Sequence, residues 1–436
     1  MTVVGRTRYT SAGARLVLAV VVAIMTAALA TLWPVLPAAA QSAPGEPAAV
    51  ESAAHEPAVT ATRPSPYPPC VGLVRSVCLL VDFADEPATI PPDEVAAFLN
   101  GEGYAGFGNN GSVRDYWREV TNGRLDLEHV VPTTYYRARR PRRFYDDPQA
   151  DGENRVHLLL TEALEDLDRQ GWDFSRFDCN GDGHIDNITL LYAGNRNPHG
   201  GLWPHSNFLD RSYDGVATLR YVVCDVGDPP TLALLVHELG HALGGFPDLY
   251  DYGGDSRGAG LYCLMNDSSP RATDPVDLSA FCRRLAGWCD LVELTPDLRG
   301  RTLTADAHAN TVFYYPNPDN PREYFLIENR HRSGRDHQLP GSGLAIWHID
   351  QDGCNDFQEQ TREKHYLTTL VQADGRRDLE RNVNQGDVGD LWGGPERSEC
   401  SPRTAPNTDW WDGSPSGLRL AEISEPAVVM TFVFAE

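Results

Sequence analysis

The segment His237-Glu238-Leu239-Gly240-His241 sets two imidazoles four residues apart, with a carboxylate beside the first. On a helix that spacing puts both rings on one face. Two imidazoles and one further ligand can hold zinc and leave a position open for water. Such an ion lowers the pKa of the water towards ~7 and polarises a carbonyl, while Glu238 acts as base and then as acid. Gly244 and Gly245 allow the chain to turn back after the helix, and Pro247 prevents the helix from resuming. The first carboxylate past that turn, Asp248, is the expected third ligand. Asp251 and a more distant Glu are the alternatives.

A second group of oxygen donors lies upstream. Asp178, Asn180, Asp182 and Asp186 are spaced along a loop with Gly181 and Gly183 between them. Short loops of that form wrap calcium, which takes six to eight oxygens, and position 184 can add its backbone carbonyl. Asp387 and Asp390 are candidates for a second ion. His205, between Trp203-Pro204 and Ser206, reads first as structural and second as a transition-state donor. No serine or cysteine nucleophile arrangement stands out.

The elements that position these residues follow from periodicity. VRSVCLLVDF and ITLLYAG are buried-strand patterns, and residues 153–170 repeat apolar residues at helical spacing. SVRDYWREVTNGRLDLEHVV reads as a helix running into a strand, and a further helix is expected near residues 92–99. TLALLVHELGHALGG, from Thr231 to Gly245, has the length and leucine content of a buried helix. Past Trp288 the texture changes to strands and turns (TVFYY, EYFLIENR, GLAIWHID, YLTTLVQAD, VVMTFVF). The expectation is an α+β protein, with an α/β part over residues 70–290 and a β-rich part over 291–436. No internal repeat is visible.

The chain begins with Arg6, Arg8 and Arg15, an uncharged apolar stretch from Leu16 to about Leu36, and Ala38-Ala39-Ala40. That order is a secretory signal peptide over residues 1–40, cleaved after Ala40, with an uncleaved anchor as the alternative. Residues 41–69, rich in Ala, Pro, Ser and Glu, read as a linker or short pro-segment. The formal charge of −24 becomes −27 once those three arginines are removed. Such a surface repels nucleic acid and anionic lipid and keeps an exported protein soluble. The nine cysteines contain no CxxC pair, so a cysteine zinc site is disfavoured and disulfides are expected, with Cys70–Cys78 and Cys282–Cys289 as short-range guesses.

HELGHALGGFPDLYD resembles the active-site segment of the immune inhibitor A-like family of secreted bacterial metallopeptidases. SVRDYWREVTNGRL, DCNGDGHIDNITLLYAG, GLYCLMNDS, PVDLSAFCRRLAGW, EYFLIENR and LPGSGLAIWHID resemble family blocks in the same order, so the likeness covers about residues 74–436. It implies a metzincin-like zinc endopeptidase domain followed by a β-rich subdomain, with bound calcium and with proteins or peptides as substrates. Met265 stands where such enzymes carry a methionine turn beneath the metal. One departure is the extra residue in Gly244-Gly245-Phe246-Pro247-Asp248, where the family has a single residue between glycine and Pro-Asp; it shifts the region supplying the third ligand. Two other classes remain open on the residues alone: a non-catalytic, metal-stabilised binding protein on a peptidase fold, and a zinc hydrolase of a non-protein substrate.

Overall fold

Alternation along the first strand decides the layering. In β1 (Gly72–Asp82), Val77, Leu79 and Val81 enter one core while Cys78 and Leu80 enter another, and all five are buried. A strand that is apolar on both faces must be covered on both. The computed structural model describes residues 68–147, 152–266, 271–354 and 361–436. The expected signal peptide and nearly all of the expected linker lie outside them.

β1 pairs in parallel with β2 (Leu125–Val130), β3 (Tyr136–Arg137) and β4 (Asn187–Tyr192). Next come β5 (His205–Phe208), the hairpin of β6 (Ser212–Tyr213) and β7 (Val216–Ala217), and β8 (Arg220–Asp225). The strand order is β2-β1-β4-β8-β5, with β5 as an antiparallel edge. α1 (Pro92–Asn100) and α2 (Val113–Val120) cover the Cys78/Leu80 face. α2 starts with a reciprocal cap, Ser112 and Asp115 each bonding the other's backbone N–H at 3.0 Å. α3 (Gly152–Arg169) covers the opposite face with Val156, Leu159, Leu160, Ala163, Leu164 and Leu167, one apolar stripe at helical period. α4 (Leu232–Leu239), which carries His237 and Glu238, lies on the Cys78/Leu80 face.

After α5 (Ala280–Leu285) the chain is mostly strand: β9 (Asp290–Glu293), β10 (Arg301–Asp306), β11 (Thr311–Pro316), β12 (Glu323–Arg330), β13 (Gly343–Asp350), β14 (Thr368–Leu370), β15 (Leu420–Ala421) and β16 (Val429–Phe434). They form a five-stranded sheet, β14-β13-β12-β11-β9, and a three-stranded one, β10-β16-β15. Tyr324 and Leu326 of β12 join the core that holds α4, whereas Phe325 and Ile327 face a third core shared with β16. The secondary structure thus changes near residue 291 while the core runs across it. Sheets with few helices agree with the α+β expectation at that level. No helix of the described residues is long and apolar enough to cross a membrane.

The cysteines correct one expectation. None of the nine is bonded to another. Cys70 precedes β1 and Cys78 lies far along it; the strand from Gly72 to Cys78 alone spans about 20 Å, beyond any disulfide. The Cys282 sulfur faces Cys263 at 3.8 Å instead of reaching Cys289.

Candidate metal centre

α4 starts where the chain around it supplies acceptors. The N–H of Leu232 donates to Asn109 Oδ1 at 3.0 Å and that of Ala233 to the Ala272 carbonyl at 2.8 Å. Two of the donors a helix start leaves unpaired are thereby satisfied. After Leu239 the helix widens into a π turn over Gly240–Gly244, and Gly245, at φ 66°, ends it in the left-handed conformation that glycine accepts without strain. Phe246 folds back over Gly244, where a Cβ would lie 2.3 Å from its ring, and packs edge-on against Trp288. The chain is turned back in this way, and Asp248 comes to lie against the two histidines.

His237 and His241 stand with ring centroids 4.9 Å apart. Asp248 Oδ1 lies 3.0 Å from His237 Nε2 and 3.3 Å from His241 Nε2. One ligand atom from each of the three residues falls within 4.8 Å of the other two. Donors about 2.0–2.1 Å from a tetrahedral centre sit roughly 3.3 Å from each other, so the set fits zinc in both size and chemistry. The opposite ring nitrogens are tied down: His237 Nδ1 donates to the Leu264 carbonyl at 3.2 Å and His241 Nδ1 to the Phe246 carbonyl at 2.6 Å. Since a carbonyl only accepts, each Nδ1 carries a proton, so Nε2, the nitrogen turned to Asp248 Oδ1, is the one whose lone pair would serve an ion once its own proton is displaced.

The electrostatics favour positive charge there. Burial disfavours protonated His237 and His241, but Asp248 outweighs it and both pKa values rise, that of His241 to about 9. Asp248 is held well below the usual carboxylate range despite burial, through the charge of His241 and the bond from His237. Glu238 is 7% exposed, and burial raises its pKa against the lowering effect of the two histidines. Among the described residues, burial and the charges of His237, His241 and Asp248 are what act on it.

Met265 is fully buried against α4, and a Cβ on Gly240 would stand 2.7 Å from its sulfur. The carbonyl of Leu264, one residue earlier, is the acceptor that orients His237, and the Met265 carbonyl accepts from Leu249 N–H at 2.7 Å. Two residues escaped the sequence reading. The Tyr252 hydroxyl donates to Asp248 Oδ2 at 2.5 Å, and Tyr250 lies near enough that burial and the Asp248 charge together raise its pKa. Their positions two and four beyond Asp248, in Asp248-Leu-Tyr-Asp-Tyr252, were the available signal.

Other expected residues fall elsewhere. Asp251 takes the N–H groups of Gly253 and Gly254 at 2.7 and 3.2 Å, a turn role away from the histidines. His205, on the edge strand β5, bonds the Trp203 carbonyl at 2.6 Å and meets the Tyr221 hydroxyl at 3.2 Å, which accords with a structural part. In the 178–186 loop Asp178 accepts from the N–H of Asp182 and of Gly183, while Asp186 accepts from Arg75 and Cys179 N–H. Its carboxylates brace the backbone and do not close on one point as those of the histidine cluster do. Asp387 and Asp390 do approach each other, together with Asp374. No family model and no curated protein matches this chain.

Proposed function

We propose that this chain is a secreted zinc-dependent endopeptidase. The observation that carries the proposal is the convergence of His237 Nε2, His241 Nε2 and Asp248 Oδ1 beside the buried carboxylate of Glu238. His237, His241 and Asp248 would hold zinc, which supplies a Lewis acid for a peptide carbonyl and for water. Glu238 takes the proton of the attacking water and passes it to the departing amide nitrogen. Tyr252 holds Asp248 by Oδ2, the oxygen turned away from the histidines, and fixes its orientation, as partners behind metal ligands do. Leu264 and Phe246 keep both imidazoles in the tautomer that the role requires.

Protein or peptide as substrate, export, and a metzincin-like catalytic domain rest on the resemblance to immune inhibitor A-like peptidases and on the basic-apolar-small start of the chain. Calcium in the loop of Asp178, Asn180, Asp182 and Asp186 belongs to the same reading, and would need Asp178 and Asp186 to exchange their present backbone hydrogen bonds for the ion. The test is digestion of unfolded casein by purified protein, with chelator and with zinc restored. Cleavage lost on chelation and regained with zinc supports the proposal. Stoichiometric zinc binding with no cleavage of casein or of a peptide library would overturn it in favour of a metal-stabilised binding protein.

A further inference from the structure

Two sulfurs meet on the turn that orients His237. Cys263 stands just before Leu264 and Met265 on that turn, and Cys282 lies on α5. The residues are 19 positions apart in the chain, yet their Sγ atoms are 3.8 Å apart. Cys263 is 3% exposed and Cys282 not at all. Neither thiol has a part in holding the ion or in moving the proton of the attacking water.

The two segments are docked against each other by other bonds. Leu264 N–H donates to the Asp277 carbonyl at 3.2 Å, and Ser279 N–H, just ahead of α5, to Cys263 Sγ at 3.3 Å. α5 is in turn tied to β12, where Ala280 N–H donates to Glu328 Oε1 at 3.0 Å and Arg283 pairs with the same carboxylate. The thiols are therefore presented to each other by backbone that is already fixed. A disulfide needs its sulfurs about 2.05 Å apart. Closing the gap takes roughly 1 Å from each sulfur, a displacement that rotation about each Cα–Cβ bond can supply.

We propose that Cys263 and Cys282 are a modification site, joined as a disulfide that fastens the methionine-bearing turn to α5. The oxidant is itself a disulfide, of a protein or of a small thiol. The thiolate of one cysteine attacks it and releases one thiol, and the second cysteine displaces the other from the mixed disulfide. Two electrons and the two thiol protons pass to the oxidant, which leaves as two thiols. Neither sulfur is open to solvent in the folded chain, so the exchange takes place before α5 settles against the turn. Once made, the bond restricts the unfolded chain and holds the Leu264 carbonyl, one residue beyond Cys263, at His237 Nδ1. The bond itself does not rest on the peptidase reading; only its service to His237 does.

The test is a disulfide map of the full chain, exported to an oxidising compartment, then denatured and alkylated without reductant and digested for mass spectrometry. One linked pair of peptides carrying Cys263 and Cys282 should appear, lighter by two hydrogens than the separate peptides, and should come apart on reduction. Reductant should lower the melting temperature of the folded protein by at least about 2 °C, and the Cys263→Ala/Cys282→Ala chain should show no such fall. Alkylation of both thiols in the folded, exported wild type overturns the proposal, and so does a bond from either to another cysteine. A wild-type melt that reductant leaves unchanged overturns the fastening. Should the double variant fail to fold, the wild-type map decides alone. Peptide cleavage enters none of these readouts, so their failure is distinct from failure of the function proposed above.

Discussion

Met265 and Gly240 are matched to each other: the methionine sulfur lies 2.7 Å from where a Cβ on Gly240 would stand. The fourth residue of the HELGH segment is therefore a packing requirement imposed by the turn beneath the helix. Gly240→Ala should cost about 1–3 kcal/mol through overpacking and reduce retained zinc, because His237 and His241 flank the displaced turn. Adding Met265→Ala should restore part of both. Thermal melts and zinc content of the two variants check this; a Gly240→Ala protein as stable as wild type contradicts it.

Asp248 and Asp251 are three residues apart and do different things. Asp248→Ala removes the oxygen that both imidazoles face, so zinc should be lost on dialysis. Asp251→Ala removes two turn hydrogen bonds, at about 1–3 kcal/mol in total, and should keep its zinc. Tyr252→Phe should weaken zinc roughly tenfold, the lower end for partners behind a ligand. Metal analysis of dialysed variants, with a melt alongside, separates the three.

Glu328 is 1% exposed between Arg283 and Arg330, and also accepts Trp347 Nε1–H at 2.8 Å and Ala280 N–H at 3.0 Å. Arg330 in turn donates to the Tyr262 carbonyl at 2.7 Å, linking β12 to the methionine-bearing turn. Glu328→Ala leaves two guanidinium groups buried with one fewer partner, which should cost about 3–5 kcal/mol. A loss below about 1 kcal/mol in denaturant unfolding would show that water replaces the carboxylate.

His365 and Asp350 bond at 2.9 Å, with His365 stacked on Trp411. Burial opposes the charged form of each, yet the shared bond prevails, raising His365 from 6.5 and lowering Asp350 from 3.8. A raised histidine stabilises fully below its unfolded value and loses that contribution as pH rises through the folded one. A lowered acid stabilises above its unfolded value and loses its share as pH falls through the folded one. The pair therefore contributes most between about pH 4 and 6.5. The melting-temperature gap between wild type and His365→Gln should be larger at pH 5.5 than at pH 8; a gap that grows with pH runs against the assignment.

Much of this was written in local sequence. The runs around Leu79 and Leu190 are apolar on both faces and could only be covered strands, and Thr231–Gly245 could only be a buried helix. The glycine turn and Pro247 pointed to Asp248 while leaving Asp251 and a more distant Glu open, and it is Asp248 that lies against the histidines. What local sequence did not carry was long-range. Tyr250 and Tyr252 look like any loop aromatics until Asp248 is placed against the histidines. Asp374 joins Asp390 across sixteen residues with no spacing rule to announce it. The pairing of Cys70 with Cys78 failed because nearness along an extended strand is separation in space. The facing of Cys263 and Cys282 depends on how α5 docks beside the methionine-bearing turn.

The most direct measurement takes Glu238→Gln protein, determines its bound zinc, and follows peptide-bond hydrolysis on the same sample. Glutamine keeps the side chain's size and removes its ability to accept a proton. The account predicts one zinc per chain, as in the wild type, with hydrolysis slowed by at least about 10²–10⁴-fold. Wild-type turnover with zinc in place would contradict it.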